Sequence, residues 1–349
     1  MSYILDLEKL RVGDVVLSSG DGKAAEVIKR TTGSHYSHAM LYVDHQINHA
    51  IPEGGVYSVN PQRLIFKSPE DLKVLRLKKN VEMATLLSVC DFSGTLVGSV
   101  YSVKEAVATK ILGKLNVGAK TSDQFCSRLV AQSYESVGIK LVANPSYCSP
   151  ADLESSNELE VVEGAVRLAS SNELLFAQTP DPTQRNQTVT YEWLYKVRDL
   201  ASSVDVKIQT INDVNEFLLN NPQLDQKICK YIRESGYLEQ YLDDTVINPH
   251  RYDMSSYQHR IALSGASPQE FVNIDLRKEL GLVRRMIGNV NCSKVNHINT
   301  NQNYHALHVE LYTNILLLAK KRLEIMALNA GPDDLDIIQK LVENIESQI

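Results

Sequence analysis

Hydrophobic positions follow two regimes along the chain. Over the first ~165 residues, short apolar runs mostly alternate with polar ones, as in half-buried strands. "GDVVLSS" (13–19), "SHAMLYVD" (37–44), "INHAI" (47–51), "GVYSV" (55–59) and "LKVLRL" (72–77) are the expected strands. In the second of these, His38, Met40 and Tyr42 fall on one face and Ala39, Leu41 and Val43 on the other. Helical spacing interrupts the pattern three times. "GKAAEVIKRTTG" predicts a helix ended by Gly33, and "NVEMATLLSVCDFSGTLVGSVY" turns helical. "DQFCSRLVAQSYESVG" places Phe125, Leu129, Val130, Tyr134 and Val137 on one stripe, closed by Gly138.

Residues 166–190 are polar and carry two prolines, which predicts a linker. Beyond them helical spacing dominates, in "NDVNEFLLNN", "DQKICKYIRE", "LRKELGLVRRMIG", "NYHALHVELYTNILLLAKKRLEIMA" and "PDDLDIIQKLVENIES". The asparagine-rich "NVNCSKVNHINTNQN" (289–303) predicts a long loop between two of these helices. The expected architecture is therefore α+β: a mixed domain over 1–165, a linker over 166–190, and a mostly helical domain over 191–349.

Composition narrows the function classes. Hydrophobic content of 43% and charge of 22% fit a folded globular chain. Net charge is -6, and from Tyr191 onward 17 Lys and Arg face 21 Asp and Glu, so neither half carries the footprint of a nucleic-acid binder. The N-terminus lacks the basic and apolar regions of an export signal, which predicts a cytoplasmic location or delivery by a signal-independent route, as for a bacterial effector. No run of ~18 apolar residues predicts a spanning helix. Five cysteines at wide spacing, with no CxxC pair, predict reduced thiols and neither a disulfide framework nor a zinc ribbon. No cofactor and no metal are expected: His305 and His308 of "HALH" lack companions, and helix surface is the plainer reading of them.

A thiol attacks carbonyls as thiolate, a form favoured by a helix N-terminus and a neighbouring imidazole. Cys126 meets the first condition: Thr121 as N-cap and Gln124 three residues later form a capping-box pattern, with Cys126 in the first turns. Its own backbone N–H is a candidate oxyanion donor. Cys90 sits in an apolar run, Cys148 in a loop, and Cys229 and Cys292 lie far along the chain. His38, at the start of its strand, is the candidate base, whereas His35 belongs to the loop before it. If "INHAI" pairs antiparallel with "SHAMLYV" through the short "DHQ" connection, His49 approaches His38 and orients its ring. Asn48 and Glu53 are alternatives, and alternation lets only one of Asn48 and His49 face His38.

Together, "GDVVLSSGDG", "TTGSHYSHAMLYVD", "INHAIPEGGVYSV", "GSVYSV", "DQFCSRLVAQSYESVGI" and "SPADL" resemble the circularly permuted NlpC-type papain-like cysteine hydrolases, in particular the YiiX/YaeF-like branch. The lecithin–retinol acyltransferase-like enzymes are more distant relatives. The histidine precedes the cysteine, which is the permuted order, and the resemblance covers about residues 8 to 155. It implies Cys126 as nucleophile, His38 as base and the third polar residue on the next strand. Many YiiX-like members carry glutamate before alanine there; this chain has His49 before Ala50. Gly13 and Asp14 match a "GD" motif expected to shape the first strand. The helical half has no counterpart.

The resulting expectation is a cysteine hydrolase working through a thioester on an amide (peptide or isopeptide) bond. The alternatives are a lipid acyl hydrolase or acyltransferase, and a non-catalytic binding module on the same scaffold. Three roles stay open for the helical half: capping the cleft, binding a protein partner and forming a dimer.

Overall fold

The computed structural model describes residues 1–43, 45–52, 54–102 and 123–349. The fold is α+β, with small antiparallel sheets followed by a mostly helical region. Two compact units are present: Met1–Leu194 with Leu200–Val214, and Tyr195–Asp199 with Asn215–Ile349.

In the first unit the strands are β1 (Tyr3–Leu5), β2 (Val15–Ser18), β3 (His38–Tyr42), β4 (Ile47–Ile51), β5 (Gly55–Val59), β6 (Leu72–Leu77), β7 (Leu159–Val161) and β8 (Val166–Leu168). Six of them form one antiparallel sheet in the order β5-β4-β3-β2-β6-β7, and β1 pairs β8 in a separate ladder. The five strands expected from alternation are all present; β1, β7 and β8, three residues each, are too short to show a period.

The helices of this unit are α1 (Lys23–Thr32), α2 (Met83–Thr95), α3 (Cys126–Glu135), α4 (Pro150–Glu154) and α5 (Ser171–Gln178), with α6 (Pro182–Ser202) and α7 (Ile211–Asn220) carrying residues of both units. α1 ends at Gly33, whose φ of 73° is the left-handed cap that glycine accepts without strain. The stretch 166–190, expected as a linker, contains β8, α5 and the first turns of α6. Gln187 of α6 donates to the Ser58 carbonyl at 2.7 Å and accepts from its N–H at 2.8 Å, so a side-chain amide closes the outer edge of β5.

The sheet buries both faces. Val15, Leu17, Ala39, Leu41 and Leu75 pack with Val89 of α2 and with Val130 and Tyr134 of α3. Val16, Met40, Tyr42, Ile47 and Val74 pack on the other side with Leu5, Leu10 and Ala165. α3 buries Cys126 through Ala131 without a break, together with Ser133 and Tyr134. At about 1.5–3 kcal/mol for each buried Leu or Val side chain, this one helix supplies a large share of the core.

The second unit contains α8 (Asp225–Ser235), α9 (Asp243–Ile247), α10 (Met254–Ser264), α11 (Pro268–Thr300), α12 (Asn303–Ala327) and α13 (Pro332–Glu346). Leu276, Val283 and Val290 of α11 recur every seventh residue and meet Leu316, Ala319 and Leu323 of α12, the seam of helices packed side by side. The long loop expected over 289–303 is corrected here. α11 continues to Thr300 and only Asn301, at φ 54°, and Gln302 separate it from α12. Burial of Val290 and Ser293 outweighs the weak helix preference of asparagine. Among the described residues no helix is long and apolar enough to cross a membrane.

Candidate catalytic site

The site begins with β2, β3 and β4. β3 pairs β2 from Val15↔Leu41 to Ser18↔His38, and β4 pairs β3 from Tyr42↔Ile47 to Met40↔His49. His49 therefore lies diagonally across from His38, two residues from the direct opposite and on the same face, within reach of a ring. His38 Nε2 and His49 Nδ1 stand 3.0 Å apart, with the rings edge to face at 71°. Both side chains are half-buried. This contact leaves His38 Nδ1 as the ring nitrogen that is not engaged with His49.

Of the two alternatives for the third residue, Asn48 points elsewhere. It donates to Ser93 Oγ at 2.8 Å and accepts from Ser58 Oγ at 2.7 Å, a buried network on the opposite face of β4. Glu53 lies outside the described residues. His35 is exposed, 3.5 Å from Asp71, and takes no part.

Cys126 is the first residue of α3 and 3% exposed. The capping box expected from Thr121 and Gln124 is not the device that starts this helix. Thr121 lies outside the described residues, and Gln124 is extended, bridged to Tyr101 through its N–H on the Val100 carbonyl at 2.8 Å. Phe125, at φ -147°, is the N-cap and offers no side-chain hydrogen bond. The chain thus passes from a paired extended segment directly into helix at the cysteine. Its thiol lies near the backbone N–H of Ala39, the residue next to His38, whose dipole favours the thiolate. Odd-numbered N–H groups of β3 point toward β4, as Val43 N–H on the Gln46 carbonyl shows, and Ala39 lies just past the last β3–β4 pair. Among the described residues no hydrogen bond joins the thiol to His38 itself.

Electrostatics set the resting protonation. Burial lowers His38 to about 3, with His49 as a second cause, and burial lowers His49 to about 4. Burial raises the Cys126 thiol above its ordinary value. The N–H groups of Ala39, Ser127 and Cys126 and the Ser127 hydroxyl all oppose that rise. The helix start acts in the direction expected from the sequence, but desolvation outweighs it. At neutral pH the site holds a thiol and two neutral imidazoles.

A second thiol, Cys148, is buried beside it; the Ser127 hydroxyl donates to the Cys148 carbonyl at 2.7 Å. All five cysteines are free. The GD motif supports the site from below. Gly13 adopts φ 88°, its carbonyl accepts from the Tyr134 hydroxyl of α3, and Asp14 forms a two-point contact with Arg76 of β6 at 2.7 and 2.6 Å. His305 and His308, expected on a helix surface, are instead both buried at 3% exposure, His308 Nδ1 donating to the Tyr304 carbonyl at 2.8 Å. Among the described residues no group of three or more His, Cys, Asp or Glu side chains is placed to hold a metal ion.

No family model matches the chain, and no curated protein does either. Among solved structures it is similar to the metalloprotein YiiX from Escherichia coli O157:H7 (DUF1105). That similarity has a TM-score of 0.35 and 14% identity, over 44% of this chain and 97% of that one. At these values the likeness is slight.

Proposed function

We propose that the chain is a cysteine-dependent hydrolase acting on an amide bond of a peptide or isopeptide. The reading rests on one observation: the His38–His49 contact sits on the strand whose next backbone N–H lies near the sulfur of a cysteine at a helix start.

In one of the two tautomers this contact allows, His38 Nε2–H donates to His49 Nδ1, and His38 Nδ1 carries the free lone pair. Nδ1 takes the Cys126 proton as Sγ attacks the carbonyl carbon. The backbone N–H of Cys126 holds the developing oxyanion. The imidazolium, held by His49, gives its proton to the departing amine and leaves a thioester. Water, deprotonated by Nδ1, then attacks the thioester and returns the thiol. Neutral imidazoles suit this sequence, because the base must be unprotonated while the thiol still carries the proton it gives up.

Raised and buried, the thiol also suits the reading in which the scaffold binds without turnover. Iodoacetamide labelling separates them. We expect Cys126 to be alkylated with a rate that climbs with pH, faster in the wild type than in His38→Ala, with Cys126→Ser as blank. Equal rates in wild type and His38→Ala across the pH range would overturn the hydrolase reading.

A further inference from the structure

At the end of β3 away from His38, Tyr42 opens onto a separate cleft of about 690 Å³, within the size range of small-molecule sites. Leu10, Tyr42, Leu77, Val81, Leu86 and Tyr134 give it an apolar floor. Its rim is basic: Arg11, Arg76, Lys78 and Lys79 face two carboxylates, Asp14 and Glu160. Arg76 is committed to Asp14 at 2.7 and 2.6 Å. Among the described residues of the lining, Arg11, Lys78 and Lys79 then stand against Glu160, a local positive surplus in a chain of net charge -6. Lys78 Nζ donates to the Asn157 carbonyl at 2.8 Å, while the exposed side chains of Arg11 and Lys79 have no ion pair among the described residues.

A second feature points the same way. α2 starts at this rim with Met83, without a side-chain cap and without an acidic residue in its first turn. The N-cap, Glu82, is not part of the lining. Thr85 and Leu86 N–H are taken by the Glu82 carbonyl, so the Met83 and Ala84 N–H groups are the ones left at the start of α2.

We propose that this cleft binds an anionic amphiphile. The phosphate or carboxylate head lies between Arg11, Lys79 and the start of α2, and the apolar body lies along Leu10, Leu77 and Leu86. The inference is independent of the chemistry at Cys126.

Calorimetric titration of the full chain with monomeric decyl phosphate tests it. Saturable binding is expected, with decanol and inorganic phosphate each about tenfold weaker or more, since each lacks one half of the recognition. Reversing the two exposed cations in Arg11→Glu/Lys79→Glu is expected to weaken decyl phosphate about tenfold, with the thermal melt unchanged. Competition by phosphatidate vesicles would mark a lipid headgroup as the source of the ligand, and its absence a free amphiphile. Equal affinity for decanol and decyl phosphate, or affinity unchanged in the double variant, would overturn the proposal.

Discussion

His38 and His49 are neutral in the fold and ordinary in an unfolded chain, so their contact has a consequence for acid stability. Both folded values, about 3 and about 4, lie below the ordinary 6.5. Between those limits the unfolded chain takes up protons that the folded chain refuses. Their neutral burial therefore costs nothing above pH ~6.5, and stability falls as pH drops below it, by up to about 1.4 kcal/mol per pH unit for each ring. Urea unfolding at pH 7 and pH 5 should show this slope in the wild type and a shallower one in His38→Asn/His49→Asn. Identical slopes would mean that the pair is not desolvated. For the proposed chemistry, His49→Ala is expected to slow Cys126 alkylation by about tenfold through loss of the ring's orientation, checked by mass spectrometry of the labelled peptide. The histidine pair was legible in the sequence because alternation and a short connection leave few registers open. The Ala39 N–H was not legible, since every residue carries one and only the register shows which is spare.

Elements are joined by contacts that cross long stretches of chain. Asp14 is 1% exposed and its carboxylate is matched by Arg76, which ties β2's approach to β6 while Gly13 takes the Tyr134 hydroxyl of α3. Asp14→Ala leaves Arg76 without its partner and is expected to cost about 3 kcal/mol in a denaturant titration. Gly55 opens β5 at φ 92°, and a Cβ there would meet the Ser99 carbonyl at 2.0 Å. Gly55→Ala is expected to cost about 2 kcal/mol or more, in the same assay, because backbone and not a movable side chain blocks the methyl. The "GD" motif was visible as letters, but its role as a brace for α3 was not: Tyr134 and Arg76 are distant in sequence and unremarkable there. The start of α3 misled for a related reason. Thr121 and Gln124 fit a local capping rule, whereas extension of Gln124 against Val100 and Ser102, a tertiary pairing, moved the helix start to Cys126.

The whole molecule divides into a sheet-bearing unit and a helical one, and the latter hides a charge network. Arg322 of α12 meets Glu279 of α11 through two bonds at 2.7 and 2.8 Å, both side chains almost fully buried, with Arg251 also on Glu279. Arg322→Leu removes two of the bonds on the buried Glu279 carboxylate, leaves Arg251 as its remaining cation, and is expected to destabilise the helical unit by about 3 kcal/mol in calorimetric unfolding. Arg322→Leu/Glu279→Leu should recover part of that loss, since no buried charge is then left alone. The α+β class was legible from the change of period near residue 165. The seam of α11 and α12 was half legible: its sevenfold apolar spacing is in the sequence, but asparagines over the same stretch argued for a loop.

Chain order within the six-stranded sheet bears on biosynthesis. β2 is made early yet lies in the middle, bonded to β3 on one side and to β6 on the other, and β6 waits for β7 at Leu159–Val161. A nascent chain on the ribosome can close the β2–β5 portion soon after residue 59 emerges, but one flank of β2 stays open until β6 is out. The outer rim of β6 stays unprotected until about eighty further residues have been translated. Stalling within that interval would expose a sticky strand margin, and this is the stage at which a holding chaperone has most to shield.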